Sequence, residues 1–377
     1  MTAALGFLLI ALSGVSDGSF YVPVQYTRKW QWEHYWAVFS VGFGLISWII
    51  TLLFIPNIVE ILATAPLEAM APLLGFGALW GVGAILFGTA LHLLGMALGY
   101  PIALGTVACF GAVVPLLTTE RDNLLTLHGA IAMLGVAVAV WGIVICSQAY
   151  RIRERSTIAE GSHRPVSLAI GLPVALLAGV FSAMINIGFS FGDPLSLHAE
   201  SAGVSSSMAP LTLWPLFFTV ACVINLMYCL FLMIKNKTGR QFFGPDLARN
   251  VPLGLLMAAL FVGAIYVYSI GATMIGSWGE VPGWVAFMSV DIITGNLWGL
   301  KSGEWTGAPT QAADKLKRGM VVIILAIGIV AASNLFKATD PAASSSPTGA
   351  ADGETAAKTA QVDCRHWSPS RGATRCI

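Results

Sequence analysis

An apolar run of about 20 residues followed by a short polar break recurs along this chain from Thr2 to Phe336, and that recurrence decides the fold class. About 20 apolar residues in a helix cross the hydrocarbon core of a bilayer, where only helices or closed barrels satisfy their own backbone. The runs are continuous rather than alternating, which selects helices. Composition agrees: 56% of the 377 residues are hydrophobic and 10% are charged, against about 25% charged in soluble domains. The chain reads as an all-α integral membrane protein.

The runs cover approximately residues 2–22, 36–56, 71–93, 95–118, 127–147, 166–191, 209–234, 251–273, 281–300 and 319–336, ten in all. No Lys or Arg precedes the first, so it lacks the basic start of a cleaved leader and reads as a retained span. Loops after the first, fifth, seventh and ninth runs hold fourteen basic residues, among them Arg28, Lys29, Arg151, Arg164, Lys235, Arg249, Lys301 and Arg318. The even-numbered loops hold only Arg121. Positive charge stays cytoplasmic, which places the odd loops inside and both termini on the periplasmic side of an inner membrane.

Ten spans divide into two fives, and because five is odd a duplicated half must lie upside down relative to the first. Leu12-Ser-Gly-Val15 resembles Leu177-Ala-Gly-Val180 at an offset of 165, and Ala78-Leu-Trp80 resembles Ala259-Leu-Phe261 at an offset of 181. The second offset also brings Phe87 onto Tyr268. The expected organisation is a first five-helix repeat over 1–150, a basic cytoplasmic loop over 151–165, a second repeat over 166–337 and a disordered tail over 338–377. The tail is polar and poor in large apolar residues, and its Cys364 and Cys376 can pair in an oxidising periplasm. The other four cysteines lie in apolar runs without metal spacing, and no cofactor or metal is expected.

The run 281–300 carries one carboxylate, Asp291, near its middle. A bare charge there costs roughly 2.5–3.5 kcal/mol on insertion scales, so it must face protein, water or a proton. Helical spacing sets Trp284, Met288, Asp291, Gly295 and Trp298 on one stripe, the makings of a cavity wall. The alternative is a structural aspartate paired to a neighbouring helix. Asp17, in the first run, is the second acid. The sixth run carries Ser182, Asn186, Ser190 and Asp193 as a polar stripe, and the eighth and ninth add Tyr266, Tyr268, Ser289 and Asn296.

Interhelical hydrogen bonds account for part of this set. The remainder, together with Trp80, Phe87, Trp214 and Trp284, suits a neutral polyhydroxylated solute, with hydroxyls on polar groups and the ring face on aromatics. No Lys or Arg lies in the core of a run, so no fixed cation awaits an anionic substrate. Trp80, Phe87, Asn186, Trp214, Tyr268, Trp284 and Ser289 are the candidate binding residues. Asp291 and Asp17 are the candidate proton carriers, with sodium the other coupling ion in view. Gly14-Val-Ser-Asp-Gly18 and Gly188-Phe-Ser-Phe-Gly192 match the nucleophile-elbow pattern, which needs a strand-turn-helix corner. Both lie in apolar runs and read instead as small-residue packing seams, so no enzyme is expected.

Several strings are distinctive: Phe20-Tyr-Val-Pro23 followed by Lys29-Trp-Gln-Trp-Glu33, Phe76-Gly-Ala-Leu-Trp-Gly81, Leu94-Gly-Met-Ala-Leu-Gly99, Gly179-Val-Phe-Ser-Ala183 and Glu304-Trp305. In these the chain resembles the L-rhamnose-proton symporters of the drug/metabolite transporter superfamily, over about Leu5 to Phe336. The resemblance implies two inverted five-helix repeats moving a deoxy-sugar inward with a proton. The scaffold also admits an exporter of metabolites or hydrophobic compounds. The expected partners are a small neutral sugar and the bilayer, and not nucleic acid. Asp17 and Asp291 come from the physical reading of the spans, not from the resemblance.

Overall fold

The computed structural model describes residues 2–94, 96–118, 126–159, 168–276, 282–301 and 307–333. The tail from 338, with Cys364 and Cys376, and Arg121 and Arg164 of the loops lie outside these. Among the described residues all regular structure is helical. The long helices are α1 (Thr2–Asp17), α2 (Trp32–Phe54), α4 (Leu67–Leu94), α5 (Met96–Thr118), α6 (Leu127–Ala159), α7 (Leu168–Ser182), α10 (Leu213–Lys235), α12 (Leu247–Ile275), α13 (Pro282–Lys301) and α14 (Thr310–Ser333). Short helices α3 (Ile58–Thr64), α8 (Met184–Ser190), α9 (Asp193–Ser201) and α11 (Gly239–Phe242) complete the set.

Each expected run coincides with a helix, with one correction. The sixth, expected as one helix over 166–191, is broken at Ala183 into α7 and α8, and a turn at Phe191-Gly192 separates α8 from α9. Pro194 in the first turn of α9 lacks the N–H that a continuous helix needs. Seven stretches among the described residues are long and apolar enough to cross a membrane: Ala3–Tyr26, Trp32–Phe54, Leu67–Ala90, Gly129–Arg153, Ile170–Ser201, Ala209–Lys235 and Leu247–Ile275. Helices α5, α13 and α14 occupy the other three expected positions. Central placement explains the polar content of α13, since residues 282–289 are all buried and a helix shielded by its neighbours can carry Asp291 and Asn296.

Large apolar side chains point outward in stripes, as a lipid-facing surface requires: Leu5, Leu8, Leu12 and Val15 on α1, and Met227, Leu230, Phe231 and Ile234 on α10. The polar groups go inward. Trp36 donates its indole N–H to Asn225 at 2.9 Å, and Tyr266 donates its hydroxyl to the Ser47 carbonyl at 2.7 Å, tying α2 to α10 and α12.

Helix pairing follows a regular scheme. α1 packs on α12 and α13, as α7 packs on α4 and α5; α2 packs on α10 and α12, as α10 packs on α2 and α4; α6 pairs with α14. Glycines permit the close approaches. A Cβ at Gly14 would lie 2.7 Å from Val290 Cβ, and one at Gly18 would lie 2.6 Å from the Asp291 carbonyl oxygen. Gly179 plays the same part on α7, where a Cβ would collide with Thr106 and the Ala103 carbonyl of α5.

Candidate functional site

The seam between α1 and α13 sets Asp17 and Asp291 side by side. Both carboxyl groups line one central cavity of about 110 Å³ and interact electrostatically with each other. Asp291 is 5% exposed; Asp17 is half-buried, but its Oδ1 is fully buried without a hydrogen-bond partner in the protein. Among the described residues none that lines the cavity is Lys, Arg or His. Two carboxyl groups in a mostly apolar chamber without a countercation can hold a proton between them, and like charges at such range oppose simultaneous ionisation.

The remaining walls are aromatic and aliphatic. Trp80 from α4 stacks on Phe261 from α12, with ring centroids 5.5 Å apart and planes 19° apart. Phe87, Trp284 and Met288 line the same chamber, and Ser182 adds a hydroxyl. Trp284 sits against Gly111 of α5, where any side chain would collide with the indole. Its Nε1 is buried with no partner in the protein. Trp284 Nε1 faces Gly111 and Asp17 Oδ1 is enclosed, so what the chamber presents is carboxyl groups and a hydroxyl between flat aromatic faces. Such a lining complements a sugar, which hydrogen-bonds through its hydroxyls and lays an apolar ring face on an aromatic one.

Of the residues expected at the site, Trp80, Phe87, Trp284, Asp17 and Asp291 line the chamber together. The others lie behind it. Tyr268 donates its hydroxyl to Asn186 Oδ1 at 2.8 Å, and Asn186 Nδ2 donates to the Gly111 carbonyl at 2.6 Å, joining α12, α8 and α5. Trp214 donates its indole N–H to Ser269 at 2.9 Å, and Ser289 bonds back to the Val285 carbonyl at 2.6 Å. The stripe read on α13 divides as well: Trp298 leaves the cavity and donates to Ser19 at 2.8 Å. Removing the amide at the three-helix junction has a structural signature, so Asn186→Leu is expected to cost about 1–3 kcal/mol of stability. Thermal unfolding in detergent checks this as a lowered midpoint.

Phe20, Trp36, Phe39, Phe261 and Phe287 also line the chamber and were not among the expected residues. An aromatic on an all-apolar helix has no amphipathic contrast to mark which way it faces. One signal was available for Phe261, the offset-181 counterpart of Trp80.

With this geometry in place, comparison with known proteins becomes informative. The sequence model of the L-rhamnose-proton symport protein (RhaT) family matches residues 1–334. An L-rhamnose-proton symporter of Yersinia pestis (strain Pestoides F) is 30% identical over 338 residues, covering 86% of this chain and 96% of the relative. An L-rhamnose-proton symporter of Shigella boydii is 28% identical over 334 residues, with the same coverage of each chain. The match spans every helix described above, the acid-bearing α1 and α13 included. The chain belongs to the L-rhamnose-proton symport protein family, a family of membrane transporters and not of enzymes.

Proposed function

We propose that the chain imports a neutral deoxy-sugar such as L-rhamnose together with a proton, by alternating access between two inverted five-helix halves over 1–150 and 166–337. On this reading the chain is a drug/metabolite transporter superfamily member of the bacterial inner membrane, with ten crossings and both termini periplasmic. Three features support the architecture. The pairing scheme is unchanged when each span is exchanged for the one five places later. The offset-165 match puts Gly14 and Gly179 at equivalent seams, α1 on α13 and α7 on α5. The offset-181 match puts Trp80 and Phe261 face to face at the chamber. The loop charges supply the orientation.

The observation that carries the function is the pair Asp17 and Asp291 in a chamber lined by Trp80, Phe87 and Trp284, with no Lys, Arg or His in its lining among the described residues. A carboxylate exposed to the periplasm takes a proton; neutral, it crosses the conformational change without the cost of an uncompensated buried charge, and it releases the proton inside. The membrane potential contributes roughly 2.3 kcal/mol per charge per 100 mV to that direction. In the chamber the 6-methyl group of rhamnose meets aromatic walls, while its hydroxyls reach the carboxyl groups of Asp17 and Asp291 and the Ser182 hydroxyl. Sodium is the competing ion, and ion substitution decides between them.

Counterflow of labelled L-rhamnose in proteoliposomes, against a panel of sugars and with or without a pH gradient, tests the proposal. Exchange of rhamnose with accumulation that follows the pH gradient supports it; exchange of no neutral sugar, or accumulation that follows sodium alone, rejects it. Trp284→Ala removes an aromatic wall of the chamber, and is expected to raise the KM for rhamnose roughly tenfold, the size of one lost aromatic contact. Initial-rate uptake at graded rhamnose concentrations checks that value.

A further inference from the structure

A second cavity, of about 630 Å³, opens at the end of the bundle that carries the basic loops. It is bounded by Trp32 and Glu33 at the start of α2, Thr89 on α4, and Tyr228, Lys235 and Asn236 at the end of α10. Its lining combines aromatic faces with a carboxylate, an amide and an ammonium. Glu33 Oε1 accepts from Asn236 Nδ2 at 3.1 Å and from Thr238 Oγ1 at 2.9 Å, so the carboxylate is held in place. Among the described residues no ion pair ties Lys235 to it; the ammonium lies 5.9 Å over the Phe231 ring instead. The Trp32 indole rests against Gly88, where a Cβ would come within 2.8 Å of the ring.

The partition between this cavity and the central chamber is thin. Phe20 lines the chamber and the next residue, Tyr21, lines the outer cavity. Trp36 lines the chamber and Trp32, one helical turn earlier, lines the outer cavity; the two indoles stack with centroids 5.0 Å apart and planes 20° apart. One hydrogen bond, between the Tyr21 and Tyr35 hydroxyls at 2.9 Å, joins the end of the α1 segment to α2 across this wall.

We propose that the outer cavity is a second sugar-binding site, an exit vestibule on the cytoplasmic side, and that the Tyr21–Tyr35 bond and the Trp32–Trp36 stack form the gate between it and the chamber. The inference rests on the transport reading above. The vestibule chemistry is that of a neutral polyhydroxylated solute: indole and phenol rings for the apolar face, with Glu33, Asn236 and Lys235 for hydroxyls. A sugar leaving the chamber displaces Phe20 and Tyr21 and meets Trp32 next.

The test uses Thr89→Cys in the full chain with its native cysteines replaced, reconstituted and labelled from the cytoplasmic side by a membrane-impermeant maleimide. Saturating L-rhamnose is expected to slow labelling severalfold, and a sugar that is not transported is expected to leave it unchanged. Adding Trp32→Leu is expected to raise the rhamnose concentration for half-protection about tenfold, the size of one lost aromatic contact. The half-protection concentration is expected to rise by more than the KM for uptake from the periplasmic side does, because that side meets the chamber first. A half-protection concentration that moves in step with the uptake KM, or does not move, would mean that protection reports only a conformational change at the chamber, and overturns the vestibule. Unprotected labelling in a protein whose rhamnose counterflow is intact overturns it too. Absence of rhamnose counterflow in the otherwise native chain rejects the transport reading itself, separately from the vestibule.

Discussion

Asp291→Asn is expected to exchange labelled rhamnose across the membrane at close to the parental rate and to lose accumulation driven by a pH gradient. The asparagine keeps the size and most of the hydrogen-bonding capacity of the aspartate but cannot carry a proton. Asp291 is buried beside Asp17 in a chamber whose lining includes no basic residue among those described. Unloaded, an ionised carboxylate there would have to move through the bundle uncompensated, at several kcal/mol. Amide substitution removes that barrier, so the empty and the loaded protein both change face and the sugar equilibrates. Asp17→Asn should show the same separation in weaker form, since Asp17 is only half-buried. Initial accumulation ratios under an imposed pH gradient, beside counterflow without one, read the two effects apart.

A larger effect on the whole protein is expected from Gly18. A Cβ at this position would lie 2.6 Å from both the Asp291 carbonyl oxygen and Thr294 Cβ, so backbone would have to move. Overpacking of this kind costs about 1–3 kcal/mol for a single added methyl group, and a β-branched side chain adds to it. Gly18→Val therefore pushes α1 away from α13 at the level of the two carboxyl groups. Thermal unfolding should show a lowered midpoint, and transport should fall well beyond the loss of folded protein because the Asp17–Asp291 pair opens. Gly263→Ala is the matching control: a Cβ there meets nothing within 4 Å, and neither stability nor transport should change.

Much of the fold could be read along the chain because a bilayer makes strong demands. A run of about 20 apolar residues leaves the backbone one solution, and each expected run does coincide with a helix. The break at Ala183 was hidden because it sits in sequence nearly as apolar as a continuous helix would be. The two acids were visible for the same reason that makes them costly: a charge in an apolar run has no bland explanation unless a partner is found. Neutral groups were harder to sort. Asn186, Tyr268, Trp214 and Ser289 look like Trp284 in sequence, and only three-dimensional neighbours show that the first four find partners while the Trp284 N–H does not. The facing of Phe20, Trp36 and Phe39 was illegible, since aromatics recur at Tyr21, Trp32, Tyr35 and Phe43 and mark no single face. Trp36-Ala-Val-Phe39 and Trp214-Pro-Leu-Phe217, 178 residues apart, do repeat one pattern in the two halves. Trp36 borders the chamber, whereas Trp214 packs behind it against Phe218 and Phe189.

Glycine-rich seams hold α1 close to α13, so that two carboxyl groups share one chamber, the one proposed for the sugar. Proton movement that accompanies sugar entry tests this most directly, measured as alkalinisation of a weakly buffered medium when rhamnose is added to de-energised cells or to vesicles of matching orientation. The parental chain should take up protons with rhamnose, and the Asp17→Asn, Asp291→Asn double variant should admit the sugar without them. Proton uptake at the parental ratio in the double variant would contradict the account.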